Sequence, residues 1–593
     1  MTDDAINLLW DLKPIYPSPD STELEQDFTL LAADADAFRE RYLGKTAGLD
    51  AAGLLAAVSA YENLQERIAK PQMYAHLLFA ADSEDDTIKS LSQRAMEFGN
   101  LMARQLLFFE LEIMALDDGQ FASISADERL ANYHHFLESV RRFRAHTLSE
   151  REEQLLKQKN LTGAEAFSRL FEELSASFRY RMTVEGEEQD FTGEELLGLL
   201  HHKDPALREL AFSTFLGRHA ENSIVIGAVF NDIALDHAQE MELRGYAAPM
   251  EPTNLGNELD GEIVERLMAV SEANYHLARD YFRIKAGLLG LPRLKNTDIY
   301  APVAETDRKY SFAEAKELVL VAYREFNPAY GPIIEAFFTE RRIDALPRPG
   351  KGGGAFCMGI SPSLPPYVLL NFTGNLRDVA TIAHELGHGL HFVLAGCQTL
   401  LNYHAPLPLA ETASVFGEMI LTRHLLERET DPAVKISLLC AKIEDIIATT
   451  FRQNCLTRFE ERLHLERKGG LLTADRICTL WWEENEKLYG DSVALIEPYR
   501  WGWSYISHFI HTRFYCYSYT FAELLVLSLY RNYLSEGASY IPRYEAILRS
   551  GAALSPADTV RPAGIDLTDP DFWQKGYDFL RDLIGELRGL VER

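Results

Sequence analysis

The sequence predicts a mainly α-helical protein with one small β-ribbon. Long segments repeat apolar residues at three- and four-residue spacing, as in the stretches that begin at Ser90 and at Glu262, and this spacing is typical of helices with one buried face. The 593 residues are 47% hydrophobic and 25% charged, which is enough apolar surface for a large core. Only two stretches, around 182–200 and at 346–375, break the helical pattern. We expect most aromatic side chains in the helices to serve core packing.

The first break begins at Met182 with a short piece of alternating polarity and a turn that contains Gly186. A helix should start after it, because Thr192 is followed three residues later by Glu195, as in a capping box. A polar run follows from His201. The sequence therefore predicts an N-terminal helical region over 1–200 and a second domain over 201–593.

The second break, at 346–375, is rich in glycine and proline and contains two strand-like runs. It predicts a hairpin or edge ribbon directly before the next helix. The glycine-rich run at 350–354 lacks the glycine spacing of a phosphate-binding loop and the Ser or Thr that should follow Lys351, and it precedes a strand rather than a helix. Its glycines more simply allow another backbone to come close.

The helix expected over 377–394 carries His384-Glu385-Leu386-Gly387-His388. Residues four apart lie on one helix face, so both imidazoles can bind one ion. Glu385, next to the first histidine, is suited to take a proton from the water that the metal activates. Fewer than roughly 0.1 chance matches to this motif are expected here. The pattern favours one catalytic Zn²⁺ per chain over two histidines on a polar helix face.

A catalytic zinc ion needs a third protein ligand and one open position. His391 shares the helix face, but about 10 Å of helical rise separates it from His384. Leu394 stands where metzincins have their third histidine. The third ligand is therefore expected on another helix.

That helix should follow Pro406 and Pro408, and its first turns contain Glu411, 23 residues past His388. Small and apolar neighbours make this an unusual place for an unpaired carboxylate, which favours a ligand over an acid that only complements the helix dipole. Glu418 lies on the same face. It can accept a hydrogen bond from a ligating imidazole, or be an ordinary surface acid.

Composition excludes several classes of partner. With 59 basic and 89 acidic side chains the formal net charge is −30, which disfavours nucleic acid and anionic membranes. Six cysteines without a C-x-x-C pair indicate neither a disulfide framework nor a cysteine zinc site. Neither a signal peptide nor a transmembrane helix is expected. We therefore expect a cytoplasmic protein, and the oligomeric state stays open.

Several tracts together resemble oligoendopeptidase F, a branch of the thimet-oligopeptidase-like zinc metallopeptidases. They are residues 353–391 (GGAFCMGISPSLPPYVLLNFTGNLRDVATIAHELGHGLH), 409–414 (LAETAS) and 508–522 (HFIHTRFYCYSYTFA). Residues 166–200 resemble the N-terminal region of that family. The likeness runs from about residue 110 almost to the end of the chain, and the combined motifs are more specific than HExxH alone.

The resemblance implies a two-lobed helical clamshell around a deep channel with zinc on its floor. It implies an endopeptidase that hydrolyses internal bonds of short, unstructured oligopeptides. Carried over position by position, it assigns zinc to His384, His388 and Glu411 and makes Glu385 the general base. A dipeptidyl carboxypeptidase with the same zinc chemistry is the alternative enzyme. A helical peptide-binding protein without hydrolytic activity is the alternative outside enzymes.

The resemblance also assigns substrate-binding roles. The strand at Gly354, Ala355 and Phe356 would pair with the substrate backbone, as in edge-strand addition. The family stabilises the oxyanion with a histidine and tyrosine hydroxyls from a tract near the C-terminus. In this chain His508 and Tyr515 are the first candidates and Tyr519 is the next, with packing in a tyrosine-rich helix as the alternative for each.

Overall fold

The computed structural model describes residues 8–184, 186–303 and 308–592. Helices dominate these residues, so the predicted mainly α fold is confirmed. The helices up to residue 288 are α1 Thr22–Tyr42, α2 Ala51–Ala81, α3 Asp86–Ala115, α4 Asp118–Ser125, α5 His134–Arg141, α6 Glu150–Asn160, α7 Ala164–Ser177, α8 Gly193–Gly198, α9 Pro205–Glu221, α10 Ser223–Arg244, α11 Glu251–Gly256, α12 Gly261–Ala273 and α13 Tyr275–Leu288.

The later helices include the one that carries the HExxH motif, α16. They are α14 Phe312–Phe326, α15 Tyr330–Thr339, α16 Leu376–Ala395, α17 Leu407–Ala410, α18 Thr412–Arg428, α19 Pro432–Ile447, α20 Gln453–Arg467, α21 Ala474–Tyr489, α22 His508–His511, α23 Tyr517–Glu536, α24 Ile541–Ser550, α25 Pro556–Val560 and α26 Pro570–Val591. Among the described residues no helix combines the length and the apolar character needed to cross a bilayer.

The chain forms two compact units, and each is built from three separate segments. Unit 1 comprises Met1–Arg144, Asp307–Glu427 and Asn532–Asp566. Unit 2 comprises Ala145–Thr306, Arg428–Arg531 and Leu567–Arg593. The division of the sequence near residue 200 and the enclosed channel stay predictions.

Local signals account for where helices begin and end. The predicted capping box is present, since Thr192 and Glu195 each satisfy a backbone N–H of the other at the start of α8. The single helix expected from Glu262 is two helices, α12 and α13, with Asn274 at the break. The Asn274 side chain donates to the Val270 carbonyl at 2.9 Å and to Gln574 Oε1 at 2.8 Å. It therefore competes with the backbone for hydrogen bonds, which ends α12.

Three small sheets accompany the helices in the part of the chain that the structure describes. In unit 2, β1 (Tyr180–Val184) pairs antiparallel with β2 (Glu187–Phe191), and β3 (Leu294–Lys295) pairs parallel with a late strand. In unit 1, β4 (Ile343–Asp344), β5 (Phe356–Met358) and β6 (Tyr367–Leu369) form the ribbon expected before the HExxH helix. The strand of unit 2 that pairs with β3 is β7 (Val493–Ala494). The order in unit 1 is β4-β6-β5, with β6 parallel to β4 and antiparallel to β5, so β5 is an edge strand.

The glycine-rich run before β5 is held in place by its lysine. The side chain of Lys351 is fully buried and pairs with Asp344 at 2.7 Å, and its ammonium also donates to the carbonyls of Leu346 and Leu370. This lysine is therefore used to fix the loop to β4 and β6. The ring centroids of Trp10 and Phe356 are 6.5 Å apart, and this contact packs the ribbon against the N-terminal segment.

Candidate metal centre

The helix α16 presents its two histidines from one face and its apolar residues from the other. Its start is capped by Asn375 and Asp378, which form a capping box. Buried residues such as Val379 and Leu386 fix the other face in the core of unit 1. His384 and His388 therefore point together away from that core, with ring centroids 4.9 Å apart.

Two glycines allow α16 and α18 to cross with their backbones in close contact. A Cβ atom on Gly387 would lie 2.3 Å from the Ala413 carbonyl oxygen. A Cβ atom on Gly417 would lie 2.7 Å from the Ala383 carbonyl oxygen and 2.1 Å from the Tyr323 hydroxyl. These distances are too short for any side chain, so the crossing requires glycine. It brings the start of α18 next to the two histidines.

Glu411 lies between α17 and α18 rather than in the first turn of one continuous helix, as the sequence suggested. The backbone leaves regular helix there, because Glu411 is the residue that ends α17. Its Oε2 atom is 3.4 Å from Nε2 of His384 and 3.4 Å from Nε2 of His388. Two ligand atoms on one tetrahedral zinc ion are about 3.3 Å apart, given metal–ligand bonds of about 2.0–2.1 Å. The spacing therefore fits one shared ion.

These three side chains form the one group of three or more potential metal ligands found among the described residues. Their ligand atoms lie within 4.8 Å of one another. Two imidazoles and a carboxylate are the donor set of a catalytic zinc site, and three protein ligands leave a fourth position open. The geometry and the donor types both fit a zinc ion.

Two of the three ligands, His384 and Glu411, are held by neighbours outside the three-ligand group. Oε1 of Glu418 lies 2.7 Å from Nδ1 of His384, which fixes that ring so that Nε2 faces Glu411. The Ser414 hydroxyl donates to Oε2 of Glu411 at 2.6 Å. The Tyr323 hydroxyl donates to the Ala383 carbonyl at 2.7 Å and thereby holds the backbone next to His384.

Two nearby histidines, His391 and His404, are not part of this three-ligand group, because each is hydrogen-bonded to a backbone group. His391 is buried and is hydrogen-bonded to the Ala410 backbone, next to Glu411. Burial lowers its pKa to about 4, and the charge of His388 adds to that effect, so His391 is neutral. His404 is hydrogen-bonded to the Ile360 backbone. We infer that His391 supports the position of Glu411.

The carboxylates make the centre attractive to a cation. Burial alone would lower the pKa of His384, but the hydrogen bond and charge of Glu418, with the charge of Glu411, raise it to about 9. Burial alone would raise the pKa of Glu411, but the hydrogen bond and charge of His388 outweigh it and lower the pKa to about 2. Glu411 is therefore ionised and can serve as an anionic ligand.

Glu385 differs from the other carboxylates because it is almost fully buried, with 6% of its surface exposed. Burial raises its pKa above the ordinary glutamate value, although the positive charges of His384 and His388 oppose this effect. A carboxylate with a raised pKa is a better proton acceptor near neutral pH. The arrangement suits Glu385 to act as a general base.

The edge strand β5 lies against α16 and close to Glu385. The Cys357 thiol, in the middle of β5, has its pKa raised by burial and further by the charge of Glu385. Gly354 precedes the strand with φ of +75°, and a Cβ atom there would meet open space. The strand expected at Gly354 to Phe356 is shifted along the chain, since Gly354 and Ala355 precede β5 and only Phe356 belongs to it. β5 pairs with β6 on one side.

The aromatic tract lies in unit 2, where three of its side chains cluster. Nε2 of His508 is 3.2 Å from the Tyr519 hydroxyl. The ring of Tyr515 lies 5.8 Å from His508 and 5.1 Å from Tyr519. Tyr517 instead is buried and accepts a hydrogen bond from Asn257, which is a packing role. The assignment of the other three to the oxyanion stays a prediction.

Sequence reasoning missed Tyr323, Ser414 and His391 as supports of the centre. No local pattern marks Tyr323, because it is 60 residues from the carbonyl that it contacts. Ser414 could have been noticed, since it lies one helical turn after Glu411 and its hydroxyl can reach back to that carboxylate.

Known proteins share both the site region and the fold. The model of peptidase family M3 matches residues 198–579, and that of oligopeptidase F matches residues 112–180. Oligopeptidase PepF of Bacillus subtilis (strain 168) is 24% identical to this chain over 98% of it and 87% of its own length. A Chlamydophila abortus protein of known crystal structure has 24% identity and a TM-score of 0.87, with 98% of each chain covered.

Oligoendopeptidase F from Enterococcus faecium has 23% identity and a TM-score of 0.71, with 96% of this chain and 99% of that chain covered. At these identities the two solved structures show a shared fold. The match to the first family model, in contrast, covers well over half of the sequence, including all of α16 to α24.

Proposed function

The chain belongs to peptidase family M3, and from that premise we propose that it is a zinc-dependent endopeptidase that hydrolyses internal bonds of short, unstructured oligopeptides. The observation that carries the proposal is the convergence of His384, His388 and Glu411 on one point beside a buried glutamate. That arrangement supplies a metal site with an open position and a base next to it.

In the proposed mechanism His384, His388 and Glu411 would hold the zinc ion. Bound there, zinc would act as a Lewis acid and lower the pKa of a water molecule towards about 7. Glu385 takes the proton from the attacking water on its carboxylate and passes it to the leaving amine. Its burial, which raises its pKa, supports the first step, because a more basic carboxylate accepts a proton more readily.

The surrounding residues keep the ligands oriented. Glu418 holds Nδ1 of His384, so Nε2 stays available to the ion. Ser414 holds one oxygen of Glu411. We further propose that His508, with Tyr515 or Tyr519, donates to the oxyanion, since their hydroxyl and ring N–H groups already form one polar cluster in unit 2.

The edge strand β5 supports a preference for unstructured peptides. An extended peptide can pair with the free side of such a strand through its own backbone N–H and C=O groups. The backbone of a folded protein is already paired, so it cannot add to β5 without unfolding. We therefore propose that backbone shape, more than side-chain identity, selects the substrate at residues 354–356.

The free thiol state of the cysteines supports the proposal of a cytoplasmic location. All six are free thiols, four of them buried. Free thiols persist where the surroundings are reducing, as they are in the cytoplasm. The proposed partners are accordingly oligopeptides, with no role for nucleic acid or for a membrane.

The proposal is tested by incubating the purified enzyme with a pool of random peptides and following the products by mass spectrometry. Internal cuts that disappear with a chelator and return with zinc are the expected result. Glu385→Gln keeps the ligands but removes the base, so it should retain zinc and lose about 10²–10⁴-fold in kcat. Removal of C-terminal dipeptides alone would instead identify a dipeptidyl carboxypeptidase, and full activity without metal would refute the zinc mechanism.

A further inference from the structure

One arginine of unit 2, Arg452, is held without a carboxylate partner. It is half-buried at the end of a π-helical turn, Ala448–Arg452, which joins α19 to α20. Its Nη2 donates to the Tyr505 hydroxyl at 3.2 Å. In the part of the chain that the structure describes, no carboxylate lies within ion-pair distance of this guanidinium. Short π-helical turns inserted into α-helices are frequent at functional sites.

Arg458, on the helix α20 that follows this turn, shows that carboxylates are not scarce in the vicinity. Arg458 pairs with Glu265, Glu272 and Glu461 at 2.7 to 3.0 Å. The whole chain carries a net charge of −30. A half-buried charge without a counter-ion costs free energy, so its retention points to a ligand that supplies the missing negative charge.

The groups around Arg452 are hydrogen-bond donors suited to an anion. Tyr300 and Tyr489 lie close enough to interact with its charge, as does Tyr499, whose hydroxyl already donates to Asn485 Oδ1. Tyr300 and Tyr505 are half-buried, so this cluster keeps some contact with solvent. Burial raises the pKa of Tyr505, although the charge of Arg452 opposes this, so its phenol stays protonated. A planar guanidinium beside phenol hydroxyls matches the two oxygens of a carboxylate.

Arg452 also lies beside the aromatic tract. The pKa of His508 is lowered by burial and further by the positive charge of Arg452. His508 in turn contacts Tyr519. The unpaired cation is therefore in the part of unit 2 that we propose to meet the reacting peptide.

We propose that Arg452 and Tyr505 bind a carboxylate of the peptide substrate. The inference rests on the proposed peptidase function, which supplies the peptide. Two sources have the required chemistry: the C-terminal carboxylate, and the side chain of an Asp or Glu residue within the peptide. The site would add a charge-dependent anchor to a mode of recognition that otherwise depends on backbone shape.

The test compares three nonapeptides: a parent with a free C-terminus and one internal Asp, its C-terminal amide, and its Asp-to-Asn analogue. KM and kcat are measured for wild type, Arg452→Gln, Arg452→Lys and the control Arg458→Gln. A hydrogen bond to a charged group is worth about 1.5–3 kcal/mol, which is roughly 10–100-fold in affinity. Wild type should therefore show a KM roughly tenfold or more higher for whichever analogue lacks the anchored carboxylate, with little change in kcat.

Arg452→Gln should abolish that difference, Arg452→Lys should keep part of it, and Arg458→Gln should leave it intact. Which analogue loses affinity identifies the source of the carboxylate. Binding of the same peptides to Glu385→Gln, followed by calorimetry, gives a readout that does not depend on hydrolysis. Equal KM and equal binding for all three peptides, or a preference that survives in Arg452→Gln, would overturn the inference even if hydrolysis occurs. No hydrolysis by wild type would instead count against the proposed function.

Discussion

Glu418 influences the proposed metal centre through a single atom of His384. Its carboxylate fixes Nδ1 at 2.7 Å, which sets both the orientation of the ring and its basicity. The carboxylate does not itself belong to the three-ligand group. Its contribution is therefore to metal affinity and to ligand position rather than to the number of ligands.

We expect Glu418→Gln to weaken zinc binding by about 10–100-fold, because an amide holds the imidazole less strongly than a carboxylate does. Zinc affinity would be measured by competition with a chelating dye. The matched control on α18 is Glu427→Gln, which loses only an exposed pair with Arg423. Equal zinc affinity in Glu418→Gln and Glu427→Gln would show that Glu418 is an ordinary surface acid.

Glu460 is a buried carboxyl in unit 2 that holds a strained loop. Its Oε1 accepts a hydrogen bond from the Phe514 backbone at 2.9 Å, and Phe514 has φ of +56°, which is rare for a side chain of that size. Its Oε2 is buried without a partner. Burial raises the pKa of Glu460 to about 8, against the opposing effects of the Phe514 N–H and Arg513.

A raised pKa in the folded state means that folding takes up a proton between pH 4.5 and about 8. The contribution of Glu460 to stability is thus fully present below pH 4.5 and is lost as pH rises through about 8. We expect Glu460→Gln, which resembles the protonated form, to match wild type at low pH and to exceed its urea midpoint at pH 8. A lower midpoint at pH 8 would contradict this.

At the scale of single residues, the sequence predicted those members of the candidate site that belong to one local motif. His384, Glu385 and His388 follow from their spacing, because helix geometry alone places them together. The prediction of Glu411 as a ligand also required that a second helix pack back against the HExxH helix. Tyr323 could not be found, because its contact with the Ala383 carbonyl depends on how α14 packs against α16.

At the scale of the elements, the crossing of α16 and α18 determines whether the three ligands can meet. Gly387 lies inside the HExxH motif, at a position where the motif itself allows any residue. The structure explains its identity, since the Ala413 carbonyl leaves no room for a Cβ atom. The helices themselves were predictable from apolar periodicity, but the breaks at Asn274 and Glu411 were not, because they depend on partners far away in the sequence.

We expect Gly387→Ala to destabilise unit 1 by about 1–3 kcal/mol through overpacking and to weaken zinc binding, because the two helices must separate. Thermal unfolding and the zinc content after dialysis would both report the change. The control is Gly217→Ala within α9, where a Cβ atom would meet open space, so a gain of about 0.5–1 kcal/mol is expected. A Gly387→Ala enzyme with normal zinc content would disprove the steric argument.

At the scale of the whole molecule, all three proposed ligands belong to unit 1. A ligand stabilises only the folded structure that binds it, by about 2.7 kcal/mol when its free concentration is 100 times Kd. The sequence could not predict this assignment, because each unit is held together internally by contacts between segments that are distant in the sequence. An example within unit 1 is the 2.6 Å hydrogen bond between Nδ1 of His135 and the Ala552 carbonyl.

We expect a chelator to lower the melting temperature of unit 1 while leaving that of unit 2 unchanged, so that calorimetry resolves two transitions. Added zinc should move only the first of them. Glu411→Ala removes one ligand, so its melting profile should respond little to either treatment. A single transition that shifts as a whole in wild type would show that the two units unfold together.

The three-segment construction of unit 1 also bears on how the protein is made on the ribosome. Tyr544 of α24 stacks against Phe416 of α18 with ring centroids 4.3 Å apart, and it supports the helix that follows Glu411. At about 5–20 residues per second, Tyr544 is synthesised about 7 to 27 seconds after Glu411. During that interval the nascent chain carries the HExxH helix without the packing that aligns its partner. We therefore expect the proposed metal centre to become complete only after α24 has been synthesised and has packed against α18.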